Sequence, residues 1–476
     1  MEQPLYEKIA NQIESQILEG VFLPGTKITS VRKSSNQLDV SVATILQAYS
    51  LLEDRGIIKA KPQKGYFVQD SLPNKPLTIQ LTPDDANNSI PKLVNKLLHA
   101  SQDDSIIQFG AAIPKGQFLP IRQLQRSVGR LMRLEPEICA AYEFTPGSIS
   151  LRRQIAIRML DAGCKVQPDD ITITLGCQNA IMLALQAVVT AGDTIAIETP
   201  TYHGVLQAIE VLQLNAIEIP CCPAEGIDLE VLATALSHHD IKACVVTPNN
   251  QNPTGATLSS KNREKLLALC AIQKTTLIED DVYGELCYAE KRQKSLIADP
   301  NYHNVIYCSS FSKSIAPGFR IGWIIGGAFQ QAIEHYAYVQ SLAIPTLTQR
   351  AIANFLENGA YDRHLRKTRQ AYEENMQRCR QLILEHFPAG TSVSLPVGGF
   401  LLWITLPPSV DALELHRAAL LKNIGTIPGL VFSIRPLFTH HLRINYAITW
   451  DNKTDAAIKK IGQLCQQQAQ SPPATF

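Results

Sequence analysis

The sequence predicts two folded units, a small helical unit at the N-terminus and a much larger α/β unit with a mostly parallel sheet. The first seventy residues contain three amphipathic helical patterns and then two short apolar strands. Turn-forming Pro, Asn and Asp residues follow without sustained periodicity. Beyond them, helical patterns alternate with apolar strands, which is typical of α/β layers. These strands are expected at residues 171–175, 194–197, 243–247, 276–278 and 305–308.

The domain limits follow from these patterns. We place the helical unit at residues 1–70, a linker at 71–90 and the α/β unit at 91–476. The tail from about Gln466 is rich in Gln and Pro and is expected to fray.

Composition excludes several classes of protein. The 44 Lys and Arg residues nearly balance the 43 Asp and Glu residues, so any contact with nucleic acid must be local. The 11 cysteines show no metal-ligand spacing, which predicts a reducing compartment and no metal site. The N-terminus lacks the apolar stretch of a signal peptide, and no apolar run is long enough to span a bilayer. We therefore expect a cytoplasmic protein without a membrane partner.

The elements of the N-terminal unit occur in a distinctive order. Helices are expected at residues 5–17, 30–38 and 41–55, and short strands at 57–60 and 66–68. Ser41 is a suitable N-cap for the third helix, and Gly56 ends it. Three helices followed by a two-stranded wing describe a winged helix-turn-helix, whose third helix enters the major groove of DNA.

Individual residues in this unit also follow a known pattern. They are Leu5, Tyr6, Gly20, Pro24, Gly25, Ser30, Arg32, Val40, Ser41, Thr44, Ala48, Tyr49, Leu52, Gly56 and residues 64–68. The pattern resembles the DNA-binding domain of the GntR family over about seventy residues, although Val42 stands where that family often has a base. The resemblance implies DNA contacts by Ser30, Arg32, Ser41, Thr44, Lys64 and Gly65. The alternative is a small helical cap that does not bind DNA, since acidic residues offset the basic residues of the unit. The basic residues at 27–33 and 59–64 nevertheless lie where a DNA-facing edge would be.

The strongest chemical signal lies near residue 313. Residues 309–313 read Ser-Ser-Phe-Ser-Lys, and residues 316–323 read Ala-Pro-Gly-Phe-Arg-Ile-Gly-Trp. Together they closely resemble the Schiff-base segment of class I aminotransferases. This resemblance implies the fold type I of pyridoxal-phosphate (PLP)-dependent enzymes, with a smaller α/β domain beside the main sheet. It also implies PLP as the cofactor, Lys313 as the Schiff-base lysine, and a phosphate site formed by Ser310, Ser312 and Arg320.

Upstream segments supply the other groups that PLP requires, namely a carboxylate for the ring nitrogen, a stacking aromatic ring and phosphate donors. By the spacing of the family, Asp280 pairs with the ring nitrogen, although adjacent Asp281 is a rival. The remaining residues implied by the resemblance are Asn252 and Tyr283 at the ring hydroxyl, Tyr202 stacked on the ring, and Gly176, Cys177 and Gln178 at the phosphate. Cys177 stands where the family commonly has Ser or Ala. Lys313, Asp280 and Tyr202 would form the catalytic group.

Two further residues concern the substrate and a second subunit. Arg443 resembles the arginine that binds the α-carboxylate of an amino acid through its bidentate fork. Tyr142 resembles the tyrosine that reaches the cofactor phosphate of the neighbouring subunit, which implies a homodimer. Ala112 occupies a position where the family often has glycine, so the approach of the substrate is less well defined there.

With both domains in one chain, the sequence resembles the MocR subgroup of GntR regulators. That similarity implies a transcription regulator that binds double-stranded operator DNA and senses an amino compound or PLP. The catalytic residues are present, so a half-transamination is possible, but a fold does not establish turnover. One alternative is a metabolic class I aminotransferase with a vestigial DNA-binding module. Another is a PLP sensor that never handles an amino acid, which Arg443 disfavours.

Overall fold

The computed structural model describes residues 4–18, 22, 25–62, 64–69, 94, 97, 103, 105–300 and 302–470. The chain divides into two compact units, Met1–Gln80 and Leu81–Phe476. The predicted linker at 71–90 lies outside the described residues, as do Gly20 and Pro24. The predicted domain limits therefore remain predictions.

The N-terminal unit has the predicted order of elements. They are helices α1 (Leu5–Leu18), α2 (Val31–Leu38) and α3 (Val42–Asp54), followed by strands β1 (Ile58–Lys61) and β2 (Gly65–Val68). The two strands pair antiparallel. Its core joins Ile9 and Ile13 of α1 to Ile45 and Leu52 of α3. Ser41 caps α3, because its side chain accepts a hydrogen bond from the Thr44 amide at 3.1 Å.

The larger unit alternates helices and strands along most of its length. Its helices are α4 (Ile121–Leu134), α5 (Pro136–Ala140), α6 (Ile149–Asp161), α7 (Cys177–Val188), α8 (His203–Leu212), α9 (Leu229–His238), α10 (Ser260–Gln273), α11 (Gln330–Ser341), α12 (Thr346–Glu357), α13 (Ala360–His386), α14 (Ala412–Leu420) and α15 (Asn452–Gln470). Short 3-10 turns lie at Gly116–Phe118, Pro168–Asp170, Gly284–Leu286, Leu296–Ala298, Pro317–Phe319, Gly327–Phe329 and Gly429–Phe432.

An eight-stranded sheet forms the centre of this unit, in the order β5-β12-β11-β10-β9-β6-β7-β8. Its strands are β5 (Ile171–Thr174), β6 (Thr194–Thr199), β7 (Asn215–Cys222), β8 (Gly226–Ile227), β9 (Ile241–Val246), β10 (Thr276–Asp280), β11 (Val305–Ser310) and β12 (Gly322–Ile325). The neighbours from β11 to β7 are parallel, whereas β12 is antiparallel to both β11 and β5. The carboxyl ends of β5, β6, β9, β10 and β11 and the amino end of β12 therefore meet at one edge, where open α/β sheets bind ligands.

Smaller sheets complete the unit. A four-stranded sheet has the order β14-β15-β18-β17, and two-stranded sheets join β13 to β4 and β16 to β3. Their strands are β3 (Ile107–Gln108), β4 (Glu143–Phe144), β13 (Ala343–Ile344), β14 (Ser392–Val393), β15 (Leu401–Thr405), β16 (Ile424–Gly425), β17 (Ile427–Pro428) and β18 (His441–Asn445).

The expectation of a frayed tail from Gln466 is wrong for residues 466–470, which continue α15. Cys465 and Ile461 of this helix are fully buried. Gln466 donates a hydrogen bond to the carbonyl of His386 at 3.0 Å. Packing of one face therefore fixes a segment whose composition alone favours disorder.

Candidate active site

A cavity of about 240 Å³ opens at the edge where the strand ends meet. Residues from widely separated segments of the chain line it together. The predicted residues on its wall are Cys177, Gln178, Tyr202, Asn252, Asp280, Tyr283, Ser310, Ser312, Lys313, Arg320 and Arg443. Gly176 immediately precedes α7 as its N-cap. The cofactor and substrate positions inferred from motifs are thus brought to one place.

Lys313 follows β11 and is held on the cavity wall by a backbone group. Its Nζ donates a hydrogen bond to the carbonyl oxygen of Ala112 at 2.8 Å. Burial of the amine, reinforced by the positive charge of Arg443, lowers the pKa of Lys313 to about 8. About a tenth of this amine is therefore unprotonated at pH 7, far more than for an ordinary lysine, and a nucleophilic lysine requires the neutral form.

The two adjacent aspartates at the end of β10 have different surroundings. Asp280 lies on the cavity wall, and its Oδ1 accepts hydrogen bonds from Cys177 Sγ at 3.1 Å and from the Val282 amide at 3.2 Å. Burial raises the pKa of Asp280 to about 6. No cation pairs with it within the described part of the chain, so a positively charged ligand atom would stabilise its ionised form.

Asp281 is occupied by other groups. It accepts hydrogen bonds from Asn249 Nδ2 at 2.7 Å and from the Tyr307 hydroxyl at 2.8 Å, and it forms an ion pair with Arg292. It is not among the residues that line the cavity. The geometry therefore favours Asp280 over its rival as the partner of a cofactor ring nitrogen.

Close backbone packing creates a cradle beside α7. Gly176 has a φ of +84°, and a Cβ there would lie 2.7 Å from Arg320 Nη2. A Cβ on Gly322 would lie 2.6 Å from the carbonyl carbon of Gly176. These glycines bring the N-terminus of a twelve-residue helix next to a guanidinium. Helix N-termini and arginine are the groups that bind phosphate in proteins.

Several buried polar atoms on the cavity wall have no hydrogen-bond partner among the described residues. They are the hydroxyls of Tyr283 and Ser312, Gln178 Oε1, Arg443 Nε, His203 Nδ1 and His416 Nε2. Leaving such groups unpaired costs about 1–3 kcal/mol each. Hydroxyl, amide and guanidinium groups, together with Lys313 and Asp280, match the phosphate, ring hydroxyl, aldehyde and ring nitrogen of PLP. The residues present therefore fit that cofactor.

Arg443 of β18 is 1% exposed yet has no acidic partner within the described residues. Its Nη1 donates to Asn252 Oδ1 at 2.8 Å, and its Nη2 donates to the Gly110 carbonyl. Its guanidinium carbon lies 4.9 Å from the ring centroid of Phe432. A buried cation held only by neutral groups is prepared for an anionic ligand such as a carboxylate.

The sequence motifs missed several residues around this cavity. His203 and His416 line it, and burial lowers the pKa of His203 to about 3 and of His416 to about 4. Glu198 does not line the cavity, but it is buried and accepts hydrogen bonds from the Thr247 amide and from Nε2 of Gln251, the residue before Asn252. His203 follows the predicted Tyr202 directly, but no local pattern identifies the other two.

Cys177 differs from its expected role in one respect. The resemblance places this residue at the cofactor phosphate and assigns no contact to its side chain. Its Sγ instead donates a hydrogen bond to the carboxylate of Asp280, and both side chains are buried. The thiol thus supports the orientation of that carboxylate.

Tyr142 is not on the cavity wall. It is 71% exposed, and its ring centroid lies 5.6 Å from that of Phe144. Its predicted contact with a second subunit stays a prediction.

The predicted DNA contacts lie on the surface of the N-terminal unit. Ser30, Arg32, Ser41 and Lys64 are exposed, whereas Thr44 and Gly65 are partly buried. The hydroxyls of Ser41 and Thr44 are 2.8 Å apart. Gly65 has a φ of +102°, and a Cβ there would lie 3.0 Å from Lys27 Cε.

Each of the two units matches a family of known proteins. Residues 5–68 match the family of bacterial regulatory proteins of the gntR type. Residues 105–461 match the family of class I and II aminotransferases. The HTH-type transcriptional regulator YdcR of Escherichia coli K12, itself uncharacterised, is 36% identical over 97% of this chain and 99% of its own. The chain belongs to the MocR type of GntR-family regulators.

Solved structures resemble the larger unit of this regulator. The α-aminoadipate aminotransferase LysN of Thermus thermophilus, complexed with N-(5'-phosphopyridoxyl)-L-leucine, is 27% identical with a TM-score of 0.73. The match covers 79% of this chain and 94% of LysN. The kynurenine aminotransferase of Pyrococcus horikoshii, in complex with PMP, is also 27% identical, with a TM-score of 0.74 over 82% of this chain and 99% of its own. The regulator therefore has the fold type I of PLP-dependent enzymes.

The described residues offer neither a membrane-spanning helix nor a metal-binding cluster. None of the described helices combines the length and apolarity needed to cross a membrane. The same residues contain no group of three or more His, Cys, Asp or Glu side chains that could hold a metal ion.

Proposed function

We propose that this regulator binds PLP in the cavity and uses it to sense an amino compound, whose binding changes the affinity of the protein for operator DNA. The observation that carries this proposal is the combination of Lys313 with buried Arg443 in one cavity. A protein that sensed PLP alone would need the lysine but not an unpaired arginine.

Individual residues would hold PLP as follows. Lys313 Nζ would bind it covalently, Asp280 would face the ring nitrogen, and Tyr202 would cover the ring. The phosphate would lie at Gly176, Cys177, Gln178, Ser310, Ser312 and Arg320, and the ring hydroxyl at Asn252 and Tyr283. When bound, PLP supplies an aldehyde that condenses with amines and a ring that accepts electrons.

The effector would be an α-amino acid or a close analogue. Arg443 Nε and Nη atoms present a planar donor fork, and burial of that charge makes a carboxylate ligand favourable. Lys313 Nζ, with its pKa lowered to about 8, can release and take up a proton near neutral pH. That capacity would permit half-transamination, although sensing requires only binding.

The N-terminal unit supports regulation rather than metabolism alone. It has its own core and a paired two-stranded wing, which supports a working module over a vestigial one. Its proposed DNA contacts are Ser30, Arg32, Ser41, Thr44, Lys64 and Gly65. The regulator would act on DNA in the cytoplasm as a homodimer, in which exposed Tyr142 and Phe144 would face the second subunit.

The test measures DNA affinity. The protein is loaded with PLP, and its preferred site is selected from random double-stranded DNA. Binding to that site is then titrated in the presence and absence of α-amino acids that perturb the visible absorbance of the cofactor. The proposal predicts a change in DNA affinity for at least one such amino acid. If amino acids convert the absorbance fully while DNA affinity and footprint stay constant, the metabolic aminotransferase becomes the better interpretation.

A further inference from the structure

One part of the cavity wall is not explained by the proposed PLP contacts. It is formed by α14, β3, β16 and the residue that follows β16, and its members are His416, Leu420, Gln108, Gly425 and Thr426. Gln108 pairs with Gly425 in a parallel register. A Cβ on Gly425 would lie 2.4 Å from Gln108 Oε1, so the glutamine side chain lies directly over this glycine. We call these five residues, together with Leu97, the side-chain wall.

His416 is the most unusual member of the side-chain wall. It is 2% exposed, and its Nδ1 lies 3.1 Å from the Thr426 hydroxyl, which is also buried. Its Nε2 is buried and has no hydrogen-bond partner within the described residues. An unpaired ring nitrogen on a cavity wall is a ready partner for a ligand atom, because leaving it unmatched costs free energy.

The imidazole is neutral at physiological pH, because burial lowers its pKa to about 4. A neutral ring donates from one nitrogen and accepts at the other. Nε2 would thus donate if Nδ1 accepts from the Thr426 hydroxyl, and would accept if Nδ1 donates to it. Either way, Nε2 matches a neutral hydrogen-bonding group.

The side-chain wall carries no charged group in the part of the chain that is described. The charged residues of the cavity are Asp280, Lys313, Arg320 and Arg443. Each of these already has a partner in the proposed complex. A second carboxylate or ammonium on the ligand would therefore be buried at the side-chain wall without a counter-ion, which is unfavourable.

We propose that His416, supported by Thr426, determines effector specificity by hydrogen bonding to the uncharged carboxamide side chain of an α-amino acid. This inference rests on the proposed function, since the ligand's carboxylate is assigned to Arg443 and its amine to the PLP centre. Leu97 and Leu420 would contact the apolar stem of that side chain.

The test uses two sets of amino acids with nearly equal shapes. Asparagine, aspartate and leucine form one set, and glutamine, glutamate and homoleucine form the other. Each is titrated into the full-length PLP-loaded protein, and the dissociation constant is taken from the early change in visible absorbance. In at least one set the carboxamide should bind tightest. His416→Leu should raise the dissociation constant of that carboxamide about tenfold and change that of the apolar analogue less than twofold.

Two further variants control for folding. His416→Gln retains a neutral hydrogen-bonding group and should recover part of the carboxamide preference. His386→Leu removes a histidine of α13 that does not line the cavity, and should leave both sets unchanged. Retention of the cofactor absorbance shows that a variant has kept the site.

The outcomes separate this inference from the proposed function. If the wild-type protein responds to amino acids but the charged or apolar member binds tightest in both sets, the inference is wrong and the proposed function stands. The same conclusion follows if His416→Leu raises the dissociation constants of all three amino acids of a set equally. If none of the six amino acids perturbs the absorbance but another α-amino acid does, the inference is wrong and the proposed function stands.

Discussion

The cavity of the large unit and the predicted DNA-facing edge of the N-terminal unit use polar groups in opposite ways. In the cavity, Arg443 and Asp280 are buried, held by a few fixed hydrogen bonds and without ion pairs among the described residues. On the N-terminal unit, Arg32, Lys33 and Lys64 are exposed to solvent. Buried groups interact strongly with one matched ligand, whereas exposed bases each contribute a small, salt-screened attraction.

This difference implies different responses to mutation. Removing one cavity residue should abolish a specific step, because nothing nearby replaces a buried charge. Removing one basic residue from the surface should only weaken DNA binding, since the remaining basic residues still contact phosphates. The predictions below test that contrast in order of decreasing effect.

Lys313→Ala should abolish the covalent attachment of PLP. The wild-type protein should be yellow, and borohydride should fix the cofactor onto Lys313, because no other lysine lines the cavity within the described residues. Mass spectrometry of peptides after reduction measures the attachment. Lys291→Ala, at an exposed lysine away from the cavity, serves as the matched control. Retention of the same reducible absorbance in Lys313→Ala would show that the lysine assignment is wrong.

Arg443→Ala should lower the affinity of the protein for α-amino acids by about 100-fold or more, because two charge-assisted hydrogen bonds to the carboxylate are lost. PLP should stay bound. Absorbance titration gives both the amino-acid affinity and the cofactor content. Simple amines without a carboxylate should bind the variant and the wild type almost equally. An equal loss for amines and amino acids would place the carboxylate site elsewhere.

The rate of covalent loading should depend on pH through Lys313. Its pKa is lowered to about 8, so the fraction of reactive neutral amine falls about tenfold for each pH unit below 8 and approaches its maximum about one unit above it. The loading rate of the apoprotein should therefore rise with pH and level off above pH 8, as measured by stopped-flow absorbance. Nα-acetyl-lysine, measured in parallel, corrects for titration of PLP itself. A rate that keeps rising steeply well above that range would indicate an ordinary lysine.

Arg32→Ala and Lys64→Ala should each weaken DNA binding several-fold and reduce the slope of affinity against salt by about 0.9. The cofactor absorbance should stay unchanged. Lys8→Ala, which changes an exposed lysine of α1, is the control and should bind DNA almost normally. Unaltered affinity and slope in both variants would contradict the proposed DNA-facing edge.

Local sequence patterns predicted most of the fold and the half of the cavity that follows strand ends. Asp280, Lys313 and Asn252 sit in short motifs beside apolar strands, so parallel pairing places them together. The family spacing favours Asp280 over Asp281, but the groups that occupy Asp281, Tyr307 and Arg292, are distant in sequence and no local pattern identifies them.

The residues of the side-chain wall had no such signal. His416 and Thr426 reach the cavity only because α14 and β16 pack there, and a single histidine in a helix carries no motif. The helical tail was missed for a similar reason, since burial of Ile461 and Cys465 outweighs its polar composition. Long-range packing, rather than local propensity, decides such cases.

Reciprocal coupling between the two sites tests the central claim most directly. The amino acid's dissociation constant is measured by absorbance with and without saturating operator DNA, and the DNA dissociation constant is measured with and without saturating amino acid. Thermodynamic linkage requires both ratios to be equal, and a regulator of this type should give a factor of roughly 5 to 150. Arg443→Ala should reduce the factor for α-amino acids to one. A factor of one in the wild-type protein, with the amino acid fully bound, would contradict the account.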